Sequence, residues 1–202
     1  MHMEFLNLDL KTLITIIGYL GIFLFVFAES GLFFGFFLPG DSLLFTAGLL
    51  AAEGYFSLSG LMLLSFVAAV LGDSVGYWFG KRTGPLLFTR EDTRFFKKSH
   101  VEKSRAYYEK HGPKTIILAR FIPIVRTFAP ILAGVSGMTY KTFFAYNIVG
   151  GLLWTTSMPI LGYFLGTRIP HIDAYILPIA LGIIVVSFIP IFWKMWKARS
   201  AK

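Results

Sequence analysis

Residues 115–138 read TIILARFIPIVRTFAPILAGVSGM, an apolar stretch that carries Arg120 and Arg126 with Pro123 between them and Pro130 beyond. A helix needs about 20 residues to cross the hydrocarbon core of a bilayer. This run has the length, yet its prolines and charges break the pattern of a simple span. Its surroundings are as apolar. The 202-residue chain is 55% hydrophobic, with 22 Phe and only 15% charged residues, and its mean hydropathy is +0.68. Soluble domains carry about 25% charged residues. A coiled coil, a disordered chain and a soluble enzyme of the usual kind are therefore excluded, and an all-α polytopic membrane protein is expected.

The remaining apolar runs cover about 12–30, 31–52, 55–80, 139–166 and 174–193. Run 31–52 is also interrupted, at Pro39-Gly40-Asp41. Charge sets the orientation. Ten of the 19 Lys and Arg lie between Lys81 and Lys114 against four acids, and Lys194, Lys197, Arg199 and Lys202 form a basic tail. Short basic loops stay cytoplasmic, so the 81–114 loop and the C-terminus are placed inside, and nucleic acid is not needed to explain the net charge of +8.

Counting back from that tail, 174–193 crosses inward and 139–166 crosses outward, so residue 139 starts in the cytoplasm. Residue 114 is also cytoplasmic. The 115–138 stretch must then enter and leave by the inner face, as a re-entrant hairpin. The same count makes 31–52 a hairpin from the outer face, with 12–30 and 55–80 as spans. Within 83–114, residues 95–111 place Phe96, His100, Tyr107 and His111 on one face, which describes an amphipathic helix on the inner leaflet. The single transmembrane domain thus has a first repeat at about 12–82, a cytoplasmic segment at 83–114, a second repeat at about 115–168 and a last span at 174–193.

Shifting the chain by 86 residues lays Gly76-Tyr77-Trp78-Phe79-Gly80-Lys81-Arg82 on Gly162-Tyr163-Phe164-Leu165-Gly166-Thr167-Arg168, and Ala47-Gly48 on Ala133-Gly134. The two halves run in opposite directions through the membrane. Inverted repeats with broken helices that meet near the midplane are a common transporter plan, and the two hairpins are expected to meet tip to tip.

Five charges lie in apolar stretches: Glu29, Asp41, Asp73, Arg120 and Arg126. Each costs about 2.5–3.5 kcal/mol at a helix centre on insertion scales. They could be structural ion pairs that lock the hairpins. They could equally form a site, with Glu29 and Asp41 facing Arg120 and Arg126. Arginine is always charged and its planar fork matches phosphate, whereas buried carboxylates exchange protons. Asp73, near the end of its span, fits a solvated helix end as readily as a functional role. Gly150-Gly151 and the spaced glycines of 60–80 suit close helix approach, and Trp78, Trp154, Trp193 and Trp196 suit interfacial anchoring. The chain has no cysteine, and His2, His100, His111 and His171 have no metal-ligand spacing. No metal or cofactor is expected.

Four segments make a resemblance specific: Phe27-Ala28-Glu29-Ser30-Gly31, Leu38-Pro39-Gly40-Asp41-Ser42, Gly72-Asp73-Ser74-Val75-Gly76-Tyr77-Trp78-Phe79-Gly80, and Arg120-Phe121-Ile122-Pro123-Ile124-Val125-Arg126. Over about residues 25–190 the chain resembles the DedA family of bacterial membrane proteins, which are related to the eukaryotic VTT-domain lipid scramblases. The resemblance implies a place in the bacterial plasma (inner) membrane. It also implies a role in moving phospholipid or undecaprenyl phosphate, linked in some members to the proton motive force, with Glu29, Asp41, Arg120 and Arg126 required. The expected function is a proton-linked flippase for an anionic lipid headgroup, foremost undecaprenyl phosphate. Arg120 and Arg126 would bind the phosphate, and Glu29, Asp41 and, more weakly, Asp73 would carry protons or pair the arginines. A general phospholipid scramblase and a small-cation or drug/proton antiporter are the competing readings. A lipid phosphatase is disfavoured because no His lies near either hairpin. The expected partners are membrane lipids and protons, with a homodimer left open.

Overall fold

The computed structural model describes residues 10–32, 40–89, 108 and 110–168. Among them are six helices: α1 (Leu10–Gly31), α2 (Gly40–Ala52), α3 (Leu58–Thr89), α4 (Lys114–Ala119), α5 (Pro123–Val135) and α6 (Tyr140–Arg168). Two stretches, Leu58–Gly84 and Tyr140–Arg168, are long and apolar enough to cross a membrane. The expected span at 174–193 and most of the expected amphipathic helix at 95–111 lie outside the described residues. So does the break at Pro39, although the arm that follows it is present as α2. α3 continues past the expected limit at residue 80, through Lys81 and Arg82 to Thr89.

The long helices bury several polar side chains and expose many large apolar ones. On α3 the exposed residues include Leu63, Val67, Leu71, Val75 and Trp78, while Ser65, Asp73 and Ser74 are buried. On α6, Leu152, Leu153, Leu161 and Phe164 face outward, while Asn147 and Thr155 are fully buried. On α3 the exposed residues recur every three or four positions, which puts them on one helical face. Water would penalise so continuous an apolar surface; hydrocarbon does not, and there polar groups must find partners within the protein.

The 115–138 stretch breaks once. α4 ends at Arg120, residues 120–122 turn, and extended Ile122 (φ −118°, ψ 106°) leads into α5 with Pro123 in its first turn. Proline is pre-set for that position because its missing N–H has no partner there anyway. The sequence suggested interruptions at Arg126 and Pro130 as well. Both lie within α5 instead, since a single proline in a helix removes one backbone donor without ending it when neighbours support the chain.

The described residues fall into two compact units, one of 10–25, 40–65 and 158–168, the other of 26–32, 66–89, 108 and 110–157. Their internal packing repeats. In the first, α2 crosses α6: a Cβ added at Gly48 would overlap the Pro159 carbonyl, and one at Gly162 would overlap that of Phe45. In the second, α5 crosses α3: a Cβ at Gly134 would overlap the Tyr77 carbonyl, and one at Gly80 that of Ile131. The short helix of each half thus packs on the long helix of the other half. The short helices correspond by 86 residues, as the sequence indicated, but the long helices correspond by 82. Their N-caps agree: Gly60 N–H donates to Ser57 Oγ and Thr142 N–H to Thr139 Oγ1, each at 3.4 Å. Glycines at 72, 76, 80 and 84 recur every turn, so a one-turn slip still lays glycine on glycine. Matching the tyrosines selected 86; backbone contact selects 82.

The absence of cysteine makes single-cysteine labelling a clean test of the hairpin expected at 115–138. Cysteines placed at Lys110 and Gly137 should both react with an impermeant maleimide from the cytoplasmic face alone. Labelling from opposite faces would make the stretch a complete span.

Candidate functional site

The second unit gathers four of the five intramembrane charges. Glu29 lies in the last turn of α1, Asp73 midway along α3, Arg120 at the end of α4 and Arg126 one turn into α5. The turn at 120–122 lets two arginines six positions apart point into one buried region. Glu29 is 1% exposed, Asp73 and Arg120 are each 4%, and Arg126 is 6%.

They pair specifically. Arg126 donates through Nη2 to Glu29 Oε1, and Arg120 donates through Nη2 to Asp73 Oδ2. Two cations and two anions leave this cluster neutral, which is how an apolar protein tolerates it. α1 and α3 can bring their acids into this space because they touch at Gly31 and Gly72, where an added Cβ on Gly31 would lie 2.8 Å from the Gly72 carbonyl oxygen. Any side chain there would push the acids apart.

α6 supplies a wall that charge alone did not reveal. Asn147, fully buried, accepts a hydrogen bond at Oδ1 from Arg120 Nη2 and donates from Nδ2 to the Val70 carbonyl at 3.3 Å. One turn on, Gly150 and Gly151 seat the arginine: a Cβ at Gly150 would lie 3.1 Å from Arg120 Cδ and 3.3 Å from its Nε. The guanidinium of Arg126 lies 4.6 Å from the centroid of the Trp154 ring, and a desolvated cation–π contact of this kind contributes about 2 kcal/mol. Trp154 is fully buried, so it underlies the site and is not the interfacial anchor that its place in the sequence suggested. Gly150-Gly151 does more than permit helix approach: it makes room for Arg120.

Asp73 is likewise buried and paired, which removes the solvated-end reading; it is the carboxylate that holds Arg120. Asp41 belongs to the first unit, in the first turn of α2, where it is half-buried. Sequence reasoning missed Asn147 because only charges were sought in the apolar runs. Its signal was a lone amide, Tyr146-Asn147-Ile148, inside a span.

Arg120 Nε is buried and has no hydrogen-bond partner among the described residues. A buried donor of this kind calls for an explanation, and a ligand oxygen would satisfy it. No group of three or more His, Cys, Asp or Glu with metal-binding geometry occurs among the described residues.

The VTT domain matches residues 38–164. The chain is 46% identical over 188 residues to protein DedA of Escherichia coli K12, covering 90% of this chain and 85% of that protein. It is 47% identical over 182 residues to the membrane protein ML0287 of Mycobacterium leprae, covering 88% and 81%. It is 36% identical over 148 residues to the inner membrane protein YqjA of E. coli K12, covering 73% and 67%. No solved structure matches the chain.

Proposed function

The chain belongs to the VTT-domain family of DedA membrane proteins, and from that premise we propose that it is a proton-linked flippase for an anionic lipid headgroup, undecaprenyl phosphate, in the bacterial inner membrane. One observation supports this reading above the others: two arginines from a broken helix, each held by a carboxylate, lie buried among apolar helices. Phosphate and carboxylate compete for the same planar fork. A phosphate that enters must displace Glu29 or Asp73, and a displaced carboxylate in low dielectric takes a proton sooner than remain as an unpaired anion. Exchange of phosphate for protonated carboxylate keeps the site near neutrality. That links headgroup movement to proton movement without further machinery. Asp41, on the hairpin arm of the other half, is proposed as a proton carrier on the headgroup's path. The two hairpins are proposed to enter from opposite faces, and the acyl tail stays in the bilayer.

The antiporter reading treats the arginines as structural. The orphaned Nε of Arg120 favours an anion ligand over it, because a cation offers that donor nothing. Native mass spectrometry of the purified protein with undecaprenyl phosphate, phosphatidylglycerol and phosphatidylethanolamine separates the readings. The flippase account expects preferential undecaprenyl phosphate binding that disappears in Arg126→Ala. Equal binding of the three lipids would mark a general scramblase. Binding indifferent to Arg126 would remove the phosphate clamp.

A further inference from the structure

Arg120 has two acceptors on the same nitrogen. Asp73 and Asn147 both take Nη2, one charged and one neutral. If headgroup exchange requires Asp73 to let go, an arginine held by Asp73 alone would be released with it, and a long flexible side chain would lose its aim at the moment of binding. Asn147 changes that. Its amide cannot titrate, and its orientation is fixed from behind by the hydrogen bond of Nδ2 to the Val70 carbonyl on α3. Burial at 0% exposure leaves the amide no water as an alternative partner. Gly150 and Gly151, one turn further along the same face of α6, confine the stem and head of Arg120. Nε–H, the donor with no partner among the described residues, lies on the Gly150 side, where an added Cβ would come within 3.3 Å of it.

We propose that Asn147 is a positioning residue which, with the Gly150–Gly151 seat, holds Arg120 in place when Asp73 is displaced and so keeps its guanidinium aimed for the headgroup phosphate. This deepens the flippase reading and rests on it for the identity of the ligand. The positioning itself does not need the lipid. A neutral acceptor suits the task better than a second carboxylate, which would compete with phosphate for the guanidinium. Pre-organisation of this kind lowers the ordering cost of binding.

The test uses the protein in lipid nanodiscs, with phenylglyoxal as the arginine probe and peptide mass spectrometry to read each site. In Asp73→Ala, which removes the acceptor at that position, Arg120 should stay protected, because Asn147 still holds it. Adding Asn147→Leu, similar in volume but without an acceptor, should raise Arg120 labelling by roughly tenfold, the value of about one charge-assisted hydrogen bond. Adding Asn147→Asp instead should restore protection. If Leu and Asp at 147 give the same Arg120 labelling, Asn147 only packs and the proposal falls. Asn147→Asp alone, with undecaprenyl phosphate in native mass spectrometry, provides a second reading that does not depend on the leucine variant folding. Binding should fall roughly tenfold as a second carboxylate occupies the guanidinium; unchanged binding overturns the proposal. The labelling pattern with no lipid binding by the wild type would leave the positioning role standing and remove the flippase reading.

Discussion

Arg126→Met is expected to abolish undecaprenyl phosphate binding and to destabilise the protein by about 3–5 kcal/mol, the cost of removing one partner from a buried ion pair. Glu29, 1% exposed in the last turn of α1, would lose the guanidinium that balances its charge. The double variant Glu29→Leu/Arg126→Met should regain most of that stability, because replacing both partners of a buried pair with apolar groups is often close to neutral. It should not regain binding. This contrast separates a lock from a site. A pair that only fastens helices is dispensable once both charges are gone, whereas a phosphate clamp is not. Arg126→Lys sharpens the comparison. It keeps the charge for Glu29 but replaces a planar fork with a point charge, so stability should stay near the wild-type value while binding falls at least tenfold, roughly the value of one charge-assisted hydrogen bond. Thermal unfolding in detergent and native mass spectrometry on the same preparations read both quantities. Normal stability in Arg126→Met would mean that the Glu29 contact contributes little.

The second large effect concerns the two helix crossings. Gly134→Ala would drive a methyl group into the Tyr77 carbonyl, and Gly48→Ala would drive one into the Pro159 carbonyl. Backbone cannot rotate aside as a side chain can, so each substitution must separate two helices. Over-packing of this severity is expected to cost about 3 kcal/mol or more. Gly21 is the control: it is exposed and has no atom within 4 Å of an added Cβ, so Gly21→Ala should leave the unfolding temperature unchanged. The two crossings repeat one geometry, so Gly48→Ala and Gly134→Ala should fall together. If one is tolerated and the other is not, the equivalence of the two crossings fails.

Much of this arrangement was legible before any coordinates. The break between Arg120 and Pro123 follows from proline chemistry, and the five charges in apolar stretches included the four that meet in the second unit, Glu29, Asp73, Arg120 and Arg126, although Asp41 was preferred to Asp73 as a partner of the arginines. Family membership was carried by the same segments. The partners were not legible. Asp41 and Asp73 are chemically identical, and which of them meets Arg120 depends on how α3 and α4 are brought together. That is set by tertiary contacts at Gly31, Gly72 and Gly150, and no local pattern encodes it. Trp154 was misread for a related reason: a tryptophan on an apolar helix looks the same whether it faces headgroups or supports a buried cation. The repeat register failed by one turn because glycines spaced by four residues give the same match at either shift. Asn147 was visible throughout as an amide where none is needed, and it escaped notice only because it has no charge.

The paired arginines are proposed to move a phosphate headgroup across the bilayer. Proteoliposomes containing undecaprenyl phosphate, with a proton gradient imposed and a soluble acid phosphatase added outside, test it directly. The wild type should render the inner-leaflet lipid accessible to the phosphatase, while Arg126→Lys and protein-free liposomes should expose the outer leaflet alone. An inner-leaflet pool that stays protected with the wild type, or that Arg126→Lys exposes equally well, would mean that the arginine pair does not carry the headgroup.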